Sequence, residues 1–207
     1  MTRIKNLIFD LGGVIMNLDV AKTIRELEIL GIKNIVNVTG HHYTESIFYD
    51  FEIGKVSEDE FLGKLKSLSY SKQNINEIRV AWNAMILDIP REKIDLIIDL
   101  KKNYKIFLLS NTNSIHQKKF LTEFNEENNF SFNDLFQKAY YSHEIGKRKP
   151  DIESFEFVLN DSNLNPSETL FFDDSLQNIE SAKSIGIEGL LISNGSLKNI
   201  LLNSGLF

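Results

Sequence analysis

The chain has 207 residues, 42% of them hydrophobic, enough to bury a sizeable core in one domain with room for a small insert. Its formal charge of −6 comes from well-mixed acids and bases with no basic run, which excludes a nucleic-acid partner held through phosphate contacts. Cysteine is absent, so disulfides and thiolate catalysis are excluded too.

The N-terminal "MTRIKN" leads into an apolar stretch too short for a signal-peptide core or a membrane span, so a cytoplasmic protein is expected. That stretch, "NLIF", is a predicted strand running into Asp10, with Gly12 and Gly13 directly behind it. Next, "VAKTIRELEILG" places Ile24 and Leu27 at helical spacing and ends on Gly31. "SEDEFLGKLKSL" opens with Ser57 and Glu60, a capping box, and puts Phe61, Leu62, Leu65 and Leu68 on one face. "INEIRVAWNAMIL" repeats Ile75, Ile78, Trp82 and Met85. No strand pattern interrupts this helical region.

After Pro90, "REKIDLIIDLKKNY" carries Ile94 and Ile97 on a helical repeat. Four more short apolar runs follow: "KIFLL" before Ser110, "QKAYY" before Ser142, "TLFF" before Asp173 and "GLLI" before Ser193. They are continuous rather than alternating, as in strands covered on both faces. "SLQNIESAKSIG" repeats Leu176, Ile179, Ala182 and Ile185 and stops at Gly186. Strand alternating with helix predicts an α/β fold, a Rossmann-like doubly wound parallel sheet. Residues 1–16 and 90–207 would form the core, and residues 17–89 an α-helical cap inserted after the first strand.

In such sheets ligands bind beyond the carboxyl ends of the strands. There the sequence places Asp10, Ser110-Asn111-Thr112 and Asp173-Asp174, with Lys147, Arg148 and Lys149 in a loop before Pro150. Carboxylates supply hard oxygen ligands for Mg2+, and one of them can attack phosphorus. Lysine and a hydroxyl can hold phosphoryl oxygens as charge redistributes.

Four segments in order, "FDLGGV", "LLSNTN", "GKRKPD" and "FFDDSLQNIESA", resemble the motifs of the haloacid dehalogenase superfamily, in the subclass with a helical cap after the first motif. The chain is most similar there to sugar-phosphate phosphatases whose first motif also reads D-L-G, and to the N-terminal domain of mammalian soluble epoxide hydrolase. The resemblance implies that Asp10 is the nucleophile and a Mg2+ ligand, with the Gly12 carbonyl as a second ligand. It implies that Asp174 binds the metal directly, and that Asp173 binds it or holds one of its waters. Ser110 and Lys149 would hold the phosphoryl oxygens, with Asn111 lining the pocket beside Ser110. The substrate would be a small phosphorylated metabolite.

Each residue also has a plainer reading. Asp10 alone would pass for a turn residue, Ser110-Asn111 for a helix cap, and Lys149 for a solvated loop cation. Neighbouring His41 and His42 point apart if helical and are not expected to be ligands, and Trp82 reads as core. Phosphatases of the superfamily carry a second aspartate where this chain has Gly12, the residue that protonates the leaving oxygen. Its absence also fits a 2-haloacid dehalogenase, or a phosphate-binding module without turnover. The paired Asp173 and Asp174 favour phosphate chemistry.

Overall fold

The computed structural model describes residues 3–33, 35, 46–70, 74–192 and 197–203. Five strands, β1 (Asn6–Phe9), β2 (Lys105–Ser110), β3 (Lys138–Tyr141), β4 (Thr169–Asp173) and β5 (Glu188–Leu191), pair in parallel in the order β3-β2-β1-β4-β5. β1 and β4 are buried at every residue, which is why their sequences lack alternation. The helices are α1 (Val20–Ile29), α2 (Ser46–Glu52), α3 (Glu58–Leu68), α4 (Ile75–Asn83), α5 (Arg91–Leu100), α6 (Ser114–Glu127), α7 (Ser142–Ile145), α8 (Ile152–Asp161), α9 (Leu176–Ser184) and α10 (Leu197–Asn203).

Alternate strand residues feed two cores. Leu7, Phe9, Leu108 and Phe172 pack with Ile94 and Ile97 of α5, Phe120 and Phe124 of α6 and Leu201 of α10. Ile8, Phe107, Leu109 and Phe171 pack on the other face with Phe155 and Val158 of α8 and Ile179 and Ala182 of α9. Burying each such side chain contributes roughly 1.5–3 kcal/mol against leaving it exposed, so the sheet carries most of the fold's hydrophobic stabilisation. The doubly wound α/β architecture expected from the sequence is the one observed.

α1 to α4 form a third core of Leu27, Phe48, Phe51, Phe61, Leu62, Leu65, Ile78 and Trp82, joined by Ile115 of α6. The Ser57–Glu60 capping box opens α3 as expected. The chain leaves and re-enters the sheet layer along one path. Leu18 bridges Ile86 antiparallel, Asn17 N–H donates to the Asp88 carbonyl at 3.0 Å, and Leu87 N–H to Asn17 at 3.2 Å.

Two details depart from the sequence pattern. α4 ends at Asn83 rather than running on to Leu87, because Ile86 is drawn out of the helix to pair with Leu18. Leu176 is 56% exposed although it shares the apolar repeat of α9, because it opens the helix beyond the strand ends, where no described residue covers it. His41 and His42 lie outside the described residues. No helix among the described residues is long and apolar enough to cross a membrane.

Candidate active site

Strand order explains why distant segments meet. β2 and β4 flank β1, so Ser110, Asp10 and Asp173 stand at three adjacent strand ends, with neighbouring strands about 4.8 Å apart. Asp10 N–H donates to the Phe172 carbonyl at 2.8 Å, which holds the carboxylate at the end of the β1–β4 ladder. Ser110 closes β2 opposite Tyr141 of β3 and is buried.

Lys149 reaches into this group from the loop after α7 and is only 1% exposed. Its Nζ donates to Asp10 Oδ1 and to Asp173 Oδ2, both at 2.6 Å. Asp173 is engaged on every side. Its Oδ1 also accepts from Ser175 N–H at 2.8 Å, and the Asn178 amide donates to Oδ1 at 3.0 Å and to Oδ2 at 3.1 Å. Asp174, the next residue, is exposed and points its carboxylate at Gly13. A Cβ on Gly13 would lie 2.1 Å from Asp174 Oδ2, and its φ of +74° is in the left-handed region. Any side chain there would fill the space beside that oxygen.

The charges do not balance. Three carboxylates face one ammonium, and burial, the largest influence, pushes Asp10 up to about 7. Lys149 pulls it back, while Asp173 and Asp174 push it further up. Asp174 is raised as well, because its neighbours partly strip water from the carboxylate even though the residue reaches the surface, and because Asp173 lies beside it. Burial alone would discharge Lys149, but Asp10 and Asp173 together outweigh it and keep the ammonium charged. One divalent cation would neutralise the two surplus negative charges.

The donors fit such an ion. One oxygen from each of Asp10, Asp173 and Asp174 lies within 4.8 Å of the others. All are hard donors of the kind Mg2+ takes, and Mg2+ keeps remaining positions for water and phosphate. The open carboxylate of Asp174 and that of Asp10 suit direct contact better than Asp173, whose oxygens are already spent.

The expected site residues are thus placed unequally. Asp10, Asp173, Asp174 and Lys149 meet directly, and Ser110 stands on the neighbouring strand. The Asn111 amide faces the main chain of Lys149, donating to its carbonyl at 2.8 Å and accepting from its N–H at 2.9 Å. At Gly12 a Cβ would meet Leu18 Cδ1 at 2.5 Å, so Leu18 fills the space a side chain there would enter. Arg148 leaves the site altogether: its Nε lies 3.0 Å from Glu52 Oε2 on α2, and its guanidinium stands 4.7 Å from the Tyr49 ring centre.

Two contributors escaped sequence reasoning. Asn178 secures Asp173, and its signal was position, since it lies within the first turn after the N-cap Ser175, aimed back at the strand end. Ser142 Oγ accepts from Thr112 N–H and donates to the Thr112 carbonyl, both at 2.9 Å, tying the loop after β2 to the start of α7. No local pattern announces that pairing.

A family model described as haloacid dehalogenase-like hydrolase matches residues 4–186. The D-ribitol-5-phosphate phosphatase of Bacteroides thetaiotaomicron is 36% identical over 194 residues, spanning 93% of this chain and 94% of that protein. A crystal structure of a HAD-family enzyme from the same organism, in complex with magnesium and inorganic phosphate, is 35% identical with a TM-score of 0.85, over 93% of this chain and 96% of that one. A HAD-like hydrolase structure from Porphyromonas gingivalis is 29% identical with a TM-score of 0.87, over 99% of this chain and 98% of that one.

Proposed function

Since the chain belongs to the haloacid dehalogenase-like hydrolases, we propose that it is a Mg2+-dependent phosphatase of a small phosphorylated metabolite, working through an aspartyl-phosphate on Asp10. The observation that carries this reading is the surplus of carboxylate around Lys149, which calls for a divalent cation beside Asp10. A dehalogenase needs no such acid pair, so the alternative loses ground.

In this reading Asp10, the Gly12 carbonyl and Asp174 hold Mg2+, which when bound supplies positive charge to the phosphoryl oxygens and keeps Asp10 ionised at neutral pH. Asp173 holds Lys149, with at most a metal-bound water besides. An Asp10 carboxylate oxygen attacks phosphorus, and the bond from phosphorus to the alcohol oxygen breaks. Ser110 and Lys149 hold the phosphoryl oxygens during this transfer, in place before it starts. Water then attacks the phosphorus of the aspartyl-phosphate, releasing phosphate and restoring the carboxylate.

Gly12 offers no proton to the leaving oxygen. Asp19, the nearest carboxylate along the chain, caps α1, accepting from Lys22 N–H at 3.0 Å. The proton then comes from a water or from a residue of the cap. Residues 17–89 act as a cap over a core of residues 1–16 and 90–207, which excludes bulk water and selects the substrate. A cytoplasmic location suits a chain without cysteine.

A phosphate-release screen with Mg2+ tests the reading. The panel should contain ribitol 5-phosphate, because a 36% identical relative is named for it, with glucose 1-phosphate, glucose 6-phosphate and an aryl phosphate. Turnover that disappears with chelator and returns with Mg2+ is expected. Hydrolysis unaffected by chelator, or none across a broad panel with inorganic phosphate still bound, would replace the phosphatase by a binding module. A general acid contributes about 10²–10⁴-fold, so leaving groups that need no proton should be favoured within the panel. Equal or faster turnover of primary-alcohol phosphates would show that some other group supplies the proton.

A further inference from the structure

We propose that Asn111 is a positioning residue that sets where Lys149 stands, rather than a substrate ligand. The proposal rests on the phosphatase reading and assigns one of its residues a different task. The argument begins with how the amide is used. Nδ2 donates to the Lys149 carbonyl at 2.8 Å, and Oδ1 accepts from the Lys149 N–H at 2.9 Å. Both polar ends of one side chain are committed to the main chain of one residue.

This pair continues the sheet by other means. The β2–β3 ladder ends where Ser110 faces Tyr141. Beyond it the chain turns into α7 and returns only at the loop that carries Lys149. The Asn111 amide supplies the next rung with a side chain in place of a strand. Ser142 does the same one residue along, bracketing the N–H and carbonyl of Thr112 with its hydroxyl. The Ser181 hydroxyl donates to the Pro150 carbonyl on the far side of Lys149. The lysine's backbone is therefore fastened on both flanks.

Chemistry explains why it needs this. A buried lysine gives up much of its rotamer freedom, and its ammonium here must meet two carboxylates at once. Asp10 and Asp173 fix the Nζ end, both at 2.6 Å. The rung from Asn111 fixes the other end relative to Ser110, the second phosphoryl-holding group. With both ends held, the ammonium and the hydroxyl keep a constant separation. A displacement of about 1 Å in such a group can cost about 10²-fold in rate.

The test is a double-mutant cycle read by binding. The affinity for inorganic phosphate at saturating Mg2+ is measured by calorimetry for the wild type, Asn111→Ala, Lys149→Met and the double variant. If Asn111 acts through Lys149, Asn111→Ala weakens phosphate about tenfold alone but less than about twofold in the Lys149→Met background, within the scatter of independent sites. In the Lys149-containing protein kcat falls about 10²-fold, with a smaller change in KM. Equal weakening in both backgrounds would make Asn111 a substrate ligand and overturn the proposal, as would an unchanged kcat. Asn111→Ser, which keeps a hydroxyl near the Lys149 N–H, supplies the same cycle if the alanine variant does not fold. A wild type that binds no phosphate with Mg2+ defeats the phosphatase reading itself, an outcome distinct from additivity in the cycle.

Discussion

Two polar clusters flank the segment that follows β2, and they are built on opposite plans. At the strand ends, Asp10, Asp173 and Asp174 outnumber Lys149, and the excess charge has no partner within the cluster. At the seam between α4 and α6, Thr23, Trp82, Asn113 and His116 form a neutral network in which each is hydrogen-bonded to another. Asn113 Oδ1 accepts from His116 N–H at 3.1 Å and from Trp82 Nε1 at 3.4 Å. Its Nδ2 faces His116 Nδ1 at 3.1 Å, and His116 Nε2 lies 2.9 Å from the Trp82 carbonyl. A carbonyl only accepts, so the Nε2–H tautomer satisfies both contacts. Thr23 Oγ1 donates to that carbonyl at 3.0 Å, and the Trp82 and His116 rings stack at 5.0 Å. A closed neutral network needs nothing further and anchors the inserted helices to the core. An open charged one needs an ion or a ligand.

Neutralising the open cluster should have the largest effect. Asp10→Asn removes the nucleophile, and loss of such a group costs on the order of 10⁶-fold in kcat. Phosphate release, measured under conditions that exclude deamidation, checks this, and substantial residual turnover would end the covalent mechanism. The same variant should be more stable than the wild type without metal at pH 8. A carboxyl raised to about 7 by burial holds its proton more tightly folded than unfolded, so its ionisation costs stability as pH rises from about 4 through about 7. Urea unfolding with chelator measures the difference, which should shrink when Mg2+ is added.

Asp174→Ala leaves the nucleophile in place and removes the open ligand. Loss of partners outside the metal's own shell costs about 10–100-fold in metal affinity, so a lost ligand should raise the Mg2+ requirement by at least that. A Mg2+ titration of activity decides it, and an unchanged requirement takes Asp174 out of the site.

The closed cluster should respond to pH through stability instead. Burial, helped by Lys119 and opposed by the Trp82 carbonyl, depresses His116 to about 4. A folded pKa below the unfolded value of about 6.5 means that the unfolded chain binds the proton more readily. Stability from this residue is therefore complete above about pH 6.5 and falls as pH drops toward 4, by at most about 3 kcal/mol. His116→Phe keeps the ring against Trp82 and should flatten the stability profile between those limits. A slope identical to that of the wild type would show that other groups carry it.

Sequence carried the charged cluster further than the neutral one, for a physical reason. Buried parallel strands write themselves as continuous apolar runs, so each strand end, and the acid on it, could be found locally. Asp10, Ser110, Asp173 and Asp174 needed only the strand order to bring them together. Asn111 and His116 act through groups 38 and 34 positions away, and no local pattern encodes such a meeting. α2 was also invisible, because "SIFYDFE" takes its place through Phe48 and Phe51, which pack against Phe61 of the next helix. Arg148, which the sequence showed only as one of three basic residues before Pro150, grips the inserted helices.

That grip gives the smallest effect. It is another contact between the inserted helices and the core, and it resembles neither cluster. Arg148 and Glu52 are charged and face each other, their side chains 24% and 12% exposed, with Tyr49 beneath the guanidinium. The adjoining turn is tight, since a Cβ on Gly54 would stand 2.2 Å from the His143 carbonyl oxygen. Both side chains are mostly covered, so the pair is worth more than the ~0.2–1 kcal/mol of an exposed one. Glu52→Gln, whose amide oxygen can still accept from the guanidinium, should lower stability by about 1–3 kcal/mol and leave the Mg2+ requirement unchanged. If the cap opens, it opens here, because the Trp82–His116 seam loses several neutral bonds at once. Glu52→Gln should then raise the rate of limited proteolysis in the linkers near Leu18 and Ile86, whereas His116→Phe should raise it only alongside global unfolding. Equal protection of the linkers in wild type and Glu52→Gln would show that the ion pair does not hold the cap closed.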